Sequence, residues 1–283
     1  MGTTVGASFD GPTVPCACSS ARNVWYSFEL VAPGVVYLDT FNSGATNTEI
    51  HITSSTGVAL PFVPFSGPFT PGACNDDAPC AAWGGASRTA VHLPAGTYDV
   101  AVGSCNPGAF TLHLQYLPDT TAQILYANAS PIASGTIMEG RLPGGSASSA
   151  TCGGASSGEA AYWLTACGGE NVYFSTCRSE GGMWERNDDL FGPYRDPSMY
   201  LRSATTGMVT ECNDDALITG SMDCRGQTLY LHPVLLLPVP GVGGGQRGPR
   251  FRTILSRGLH ALIVDENESS GGLDYRVIVG VLP

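Results

Sequence analysis

Apolar and polar positions alternate along this chain in short runs. NVWYSFEL from Asn23, GVVYLDTF from Gly34, EIHITSS from Glu49, RTAVHL from Arg88, TYDVAV from Thr97 and FTLHLQYL from Phe110 join that alternation to aromatic and β-branched content, which is the pattern of half-buried strands. No long segment repeats its apolar residues at the 3.6 period of a helix. The elements are therefore strands and the fold class is all-β. NVWYSFEL and GVVYLDTF are expected to pair as neighbours. Residues 58–73, VALPFVPFSGPFTPGA, carry four prolines and three phenylalanines, a composition no central strand tolerates, and are read as a loop insertion.

The strand pattern occurs twice. CNDDAPC from Cys74 returns as CNDDA from Cys212, again followed by a cysteine, Cys224. One offset of 136 residues (152 − 16) pairs Cys16 with Cys152, NVWYSFEL with EAAYWLTA, Tyr37 with Tyr173 and Thr40 with Thr176. Further on, HITSSTG from His51 aligns with LRSATTG from Leu201, and SRTAVHLPAGTYDVAV from Ser87 with residues 249–264. Order is kept throughout, as internal duplication requires. Two domains follow, 1–118 and 119–283. The second opens on AQILYANASPIASG (122–135), which has no counterpart in the first. If it forms an opening strand, the first domain starts one strand short and presents an unpaired sheet edge, a template for another chain. The second domain also has inserts at 180–197 and 225–249.

At 283 residues the chain can bury two cores. A formal charge of −11 with no lysine argues against nucleic-acid binding by phosphate neutralisation, and an acidic surface draws divalent cations. Ten cysteines without paired CxxC ligands read as a disulfide framework from an oxidising compartment. The repeat assigns Cys74 to Cys80 and Cys212 to Cys224. Cys16, Cys18 and Cys105 remain in the first copy and Cys152, Cys167 and Cys177 in the second. Either one bridge crosses the domains or two thiols are left over. MGTTVGASFD has no basic and apolar leader, so a signal peptide was removed or replaced, and an extracellular or cell-surface location is expected. The insert bearing Leu229, Leu231, Val234, Leu235, Leu236, Leu237, Val239 and Val242 is too short and proline-broken to span a bilayer. It packs over its own domain or meets a partner.

The order WYSF, a short strand ending DTF or STC, CNDD, a strand, AGTY and an apolar strand resembles the bacterial pre-peptidase C-terminal domain. The resemblance covers most of both copies, although His260 stands where the first copy has Tyr98 of AGTY. It implies two tandem jelly-roll-type β-sandwiches. Such modules are non-catalytic appendages of secreted hydrolases or tandem parts of surface proteins, and relatives bind collagen or polysaccharide or hold calcium.

Several residues qualify for chemistry. Asn75, Asp76 and Asp77, with Asn213, Asp214 and Asp215, offer the hard oxygen ligands calcium takes; the competing role is hydrogen bonding within their own turn. Asn187, Asp188 and Asp189 repeat the triplet in an insert. GASSG (154–158) matches GxSxG, but a Gly/Ser-rich loop lacks the strand and helix a nucleophile elbow needs around Ser156. His51, His92 and His113 lie in alternating strands and could share a face; His232 and His260 stand apart. Glu29 and Asp39 suggest a carboxylate pair on adjacent strands, yet their counterparts are Thr165 and Ser175. Trp25, Tyr26, Tyr162 and Trp163 could supply sugar-stacking platforms, with one of each neighbouring pair expected in the core. Asn128 and Asn267 sit in glycosylation sequons.

The reading that follows is a non-catalytic structural or adhesive component of an exported surface assembly, partnered by itself or other surface proteins. The alternative is an accessory module for extracellular polysaccharide or matrix protein.

Overall fold

The computed structural model describes residues 1–10, 22–44, 47–55, 60, 73–78, 85–119, 126–127, 136–142, 159–176, 183–184, 197–204, 206–213, 249–266 and 274–282. The chain divides into two compact units, one of residues 1–119 with 128–131 and one of 120–127 with 132–283. Among the described residues both are all-β, without helix, and each is a sandwich of two antiparallel-dominated sheets.

The first unit contains β1 (Gly2–Thr3), β2 (Arg22–Leu30), β3 (Gly34–Asp39), β4 (Thr48–Ser54), β5 (Cys74–Asn75), β6 (Arg88–Leu93), β7 (Gly96–Ser104), β8 (Ala109–Phe110) and β9 (His113–Pro118). One sheet has the order β2-β7-β4-β5 and the other β6-β3-β9, with β1 paired to β8. Their facing sides bury Val36, Leu38, Ile50, Ile52, Val100 and Val102 in one cluster.

The second unit contains β10 (Tyr126–Ala127), β11 (Thr136–Arg141), β12 (Ala160–Ala166), β13 (Asn171–Ser175), β14 (Met183–Trp184), β15 (Pro197–Ser203), β16 (Val209–Asn213), β17 (Arg250–Ile254), β18 (Gly258–Glu266) and β19 (Asp274–Leu282). Its sheets are β10-β12-β18-β15-β16 and β11-β19-β13-β17, with β14 also on β19. Leu164, Phe174, Leu201, Leu262, Val264 and Val277 lie in its core.

The registers of the two units coincide. Leu30 opposes Gly96 where Ala166 opposes Gly258, and Tyr37 opposes Ala90 where Tyr173 opposes Arg252. His51 opposes Cys74 where Tyr200 opposes Cys212. That last pair corrects the sequence alignment of HITSSTG by one residue: Leu201 matches Ile52, not His51. Ile52 and Leu201 both face a core. A one-residue slip exchanges the faces of a strand, so the polar-looking His51 belongs with Tyr200 on the outer side.

Two further expectations need correction. NVWYSFEL and GVVYLDTF do not pair, because β2 hydrogen-bonds β7 while β3 sits between β6 and β9 in the other sheet. The three-residue link 31–33 carries the chain from one sheet to the other instead of turning a hairpin. Gly34 begins β3 where a Cβ would lie 2.4 Å from the Leu117 carbonyl oxygen, so only glycine admits that close approach. The opening strand of the second unit is β11, immediately after the segment 122–135, which itself supplies the two-residue β10.

Candidate functional site

The leading strands are where the two units part company. In the second, β11 runs along β19 through six paired positions, from Thr136 opposite Val279 to Arg141 opposite Asp274. In the first, the matching strand β1 pairs at two positions, Gly2 opposite Phe110 and Thr3 opposite Ala109. The local packing identifies the match. Gly2 lies under Phe110 with Tyr26 edge-on to that ring at 6.2 Å, and Gly140 lies under Tyr275 with Tyr162 edge-on at 6.3 Å. The Tyr162 and Tyr275 hydroxyls meet at 2.5 Å, and burial pushes both phenols up. Beyond this point, among the described residues, β9 has a strand on one side alone. Leu114 shows the consequence. It is 46% exposed, whereas the residue in its place in the second unit, Val279 beneath Thr136, is 0% exposed.

A second edge differs in the same sense. β12 is covered at Ala161 and Tyr162 by the parallel strand β10. The matching residues of β2, Trp25 and Tyr26, are exposed, as are Ser27 and Glu29. Val24 and Phe28 pack on the core, so alternation turns Trp25, Ser27 and Glu29 to the outer face. Across that face Trp25 opposes Ala101 and then His51, and Ser27 opposes Asp99 and then Thr53. Trp25 Nε1 donates to the Asp10 carboxylate at 3.4 Å. Hydrogen bonds from Ser8 and Trp25 hold the Asp10 carboxyl below its usual range. Trp25 is therefore an exposed platform at 41%. Tyr162 and Trp163 are both buried, which removes them as stacking surfaces. Across β18 Trp163 opposes Ala261, between Leu259 and Ile263, with Arg202 of β15 beyond Ala261, and indole burial is favourable against that apolar strand.

The NDD loops serve the sandwich itself. Asn75 Oδ1 accepts from the Arg88 N–H at 2.9 Å, and its Nδ2 donates to the Asp77 carbonyl at 3.2 Å. Asn213 Oδ1 accepts in the same way from the Arg250 N–H at 3.4 Å. Each asparagine thus ties an edge strand of one sheet to the first residue of a strand in the other. Ser87 Oγ holds the loop from beneath by donating to the Asp76 carbonyl at 2.5 Å. Burial, and then the neighbouring Asp77 charge, raise Asp76 to about 6. Asp214 and Asp215 lie outside the described residues, and among those described no three His, Cys, Asp or Glu side chains gather as a metal site. Cys74, Cys105, Cys167 and Cys212 are disulfide-bonded. Cys80 and Cys224, the mates assigned by the repeat, are outside the described residues.

The histidines do not converge. His51 is on β4, in the sheet opposite to that of His92 on β6 and His113 on β9. His92 Nε2 meets Asp119 at 2.8 Å, and His113 Nδ1 meets the buried Asp39 at 2.8 Å. Asp39 also accepts from the Phe41 N–H. Glu29 and Asp39 therefore fall in different sheets, one exposed and one buried, and form no carboxylate pair. Burial lowers His51 and His260. His260 Nε2 bonds the Ser256 carbonyl at 2.8 Å where Tyr98 bonds the Pro94 carbonyl at 2.8 Å; the departure from AGTY keeps the turn-closing bond. Ser156, His232, Asn128, Asn267, the triplet 187–189 and the apolar insert with Leu229, Leu231, Val234, Leu235, Leu236, Leu237, Val239 and Val242 lie outside the described residues. No helix among the described residues is long and apolar enough to cross a membrane.

No family model matches the chain, and no curated protein matches it. Among solved structures it is similar to a peptide-N(4)-(N-acetyl-beta-D-glucosaminyl) asparagine amidase, at 8% identity over 92% of this chain and 91% of that one, with a TM-score of 0.24. A likeness at that level carries no argument about fold or chemistry.

Proposed function

We propose that this chain is a non-catalytic structural or adhesive protein of an exported surface assembly, built from two sandwiches of the pre-peptidase C-terminal type and joined to its partners by strand addition to the first unit. The observation that carries this reading is Leu114, which lies opposite the core residue Leu38 and is 46% exposed at an edge that the second unit closes with β11. An exposed edge with an apolar side chain beside it invites a further strand. The disulfide-bonded state of Cys74, Cys105, Cys167 and Cys212 supports an oxidising, extracellular setting. Sedimentation velocity of the non-reduced protein over a range of concentrations, with calcium and then with chelator, tests it. Larger species that grow with concentration and shrink in Leu114→Lys are expected. A compact monomer at every concentration in both buffers overturns self-assembly.

A second reading rests on Trp25. An exposed indole flanked by Asp10, Ser27, Glu29 and Asp99 suits a polysaccharide or matrix protein, as in an accessory module of a secreted hydrolase. A glycan and matrix-protein screen against the wild type and Trp25→Ala separates it: this reading predicts a hit that the variant loses.

A further inference from the structure

Among the described residues no strand pairs with the outer edge of β2. Trp25, Tyr26, Ser27 and Glu29 are exposed and Phe28 is half-buried. The N-terminal segment gives β2 one main-chain bond, at its start, where the Asn23 N–H donates to the Ser8 carbonyl at 3.0 Å; further along it meets side chains, Asp10 at the Trp25 indole and Gly2 beside the Tyr26 hydroxyl. The second unit shows that the fold accepts a strand at this edge, since β10 pairs in parallel with Ala161 and Tyr162, the residues matched by register to Trp25 and Tyr26. Same-face side chains of a strand recur every two residues, about 6.6 to 7 Å apart. A strand laid on β2 therefore sets its alternate side chains beside Trp25, Ser27 and Glu29 in turn.

The chemistry of that row is acidic. Glu29 is exposed, Asp99 lies across from the small Ser27, and the Asp10 carboxylate sits at the Trp25 indole N–H. The nearby cation, Arg22, is stacked over Phe9 at 4.9 Å from the ring centroid. A cation arriving over Trp25 gains from the indole face. A long cationic side chain beside Ser27 reaches over it to Asp99, and one beside Glu29 forms an ion pair there. Resting on the assembly reading above, we propose that β2 is the acceptor edge for an extended basic segment of a partner protein, with Arg or Lys at alternate positions and main-chain hydrogen bonds to β2 between Trp25 and Glu29.

A fluorescein-labelled heptapeptide of alternating threonine and arginine, titrated with the full-length protein at physiological salt and followed by anisotropy, is the direct test. Saturable binding is expected, weakened at least about tenfold in the variant Glu29→Arg/Asp99→Arg, at one exposed and one half-buried position, whose fold is checked by circular dichroism. The same variant should bind a threonine–glutamate heptapeptide better than the wild type does. Two heptapeptides N-methylated at alternate backbone nitrogens, one in each phase, keep the charge; the one whose N–H groups face β2 should fail to bind. Equal binding of both methylated peptides, an unchanged Kd in the double variant, or no binding to about 1 mM overturns the inference. If the double variant also keeps wild-type sedimentation behaviour, assembly uses the β9 edge and the broader reading survives without this one. Loss of self-association in Leu114→Lys alone identifies that case.

Discussion

The outer faces of the two sheets built on β2-β7-β4 and β12-β18-β15 share a backbone register and differ in solvation, most of all along β2 and β12, since His51, Thr53 and Ala101 are buried in the first as well. In the first unit the face presents Trp25, Ser27 and Glu29 on β2, Thr97, Asp99 and Ala101 on β7, and His51 and Thr53 on β4. Position by position the second unit has Ala161, Trp163, Thr165, Leu259, Ala261, Ile263, Tyr200 and Arg202. Ala161, Trp163, Tyr200, Leu259, Ala261 and Ile263 are all buried, and none belongs to the inner cluster. The second unit therefore carries an apolar layer on both faces of one sheet, and the first carries it on one. Because successive side chains of a strand point to opposite faces, the inner pattern that holds the sandwich can be kept while the outer pattern is rewritten. The rewritten face of the first unit is where contact chemistry is available.

The sharpest way to break this comparison is to exchange Trp163 with its counterpart Ser27. Trp163→Ser deletes an indole that is 3% exposed and should cost about 3–5 kcal/mol in urea unfolding, the range for emptying a large aromatic site. Trp25→Ser, on the open face, should stay within about 1 kcal/mol. Equal costs would mean that the two faces are equally sealed. Trp163→Phe sharpens the point, because the indole Nε1 has no hydrogen-bond partner and its loss removes none; a cost below about 1.5 kcal/mol is expected.

Next in size is the bond that closes the turn before β7 and β18. Tyr98→Phe should lose about 0.5–1.5 kcal/mol, and His260→Phe a similar amount at neutral pH. Only the histidine adds a pH dependence. Burial holds folded His260 below the ordinary imidazole value of about 6.5, so the unfolded chain binds a proton first. Stability of the second unit then falls as pH drops below about 6.5 and levels off below the folded value. His260→Tyr should abolish that limb while keeping the bond to Ser256. His51, also lowered by burial, gives the first unit a limb of the same sign. Urea midpoints between pH 7.5 and 5, read separately for each unit, check both.

Much of this architecture is legible in the sequence because it is written in local pattern. Alternation marked β2, β3, β4, β6, β7 and β9, and the repeat of CNDD matched β5 to β16. What failed was pairing. Nothing in Val31, Ala32 and Pro33 distinguishes a hairpin from a crossing between sheets; the choice is made by long-range partners. The one-residue slip at His51 arose because TSSTG and SATTG match best as loops, whereas the faces of β4 and β15 are set by Ile52 and Leu201. The β2 edge was half legible: that 122–135 has no counterpart in the first copy was visible, but whether Trp25 or Tyr26 faced outward depended on register. For Asn75 and Asn213 the sequence offered calcium ligation or bonding within their own turn; the bond of Asn75 to the Asp77 carbonyl is of the second kind, whereas the cross-sheet bonds to Arg88 and Arg250 depend on long-range packing and were in neither alternative.

The smallest expected effect concerns Asp76, whose Oδ1 is buried without a hydrogen-bond partner. Its carboxyl is raised to about 6, above the ordinary carboxylate range, by burial and then by the Asp77 charge. The folded state favours the proton, so the first unit is relatively stabilised by Asp76 protonation at low pH. That advantage is lost as pH rises from about 4 through 6, opposite in sign to the His51 limb. Asp76→Asn should raise stability at pH 7 by roughly 0.5–1 kcal/mol, discounted because water screens a partly exposed group, and should leave only the histidine limb on acidification. The same variant decides the calcium question. A cation held by Asp76 would offset the cost that Asp77 imposes, so calcium would raise the wild-type midpoint at pH 7, raise it less at pH 5, and leave Asp76→Asn unmoved. Identical midpoints with calcium and with chelator in the wild type would confine the NDD loop to its structural role of tying β5 to β6.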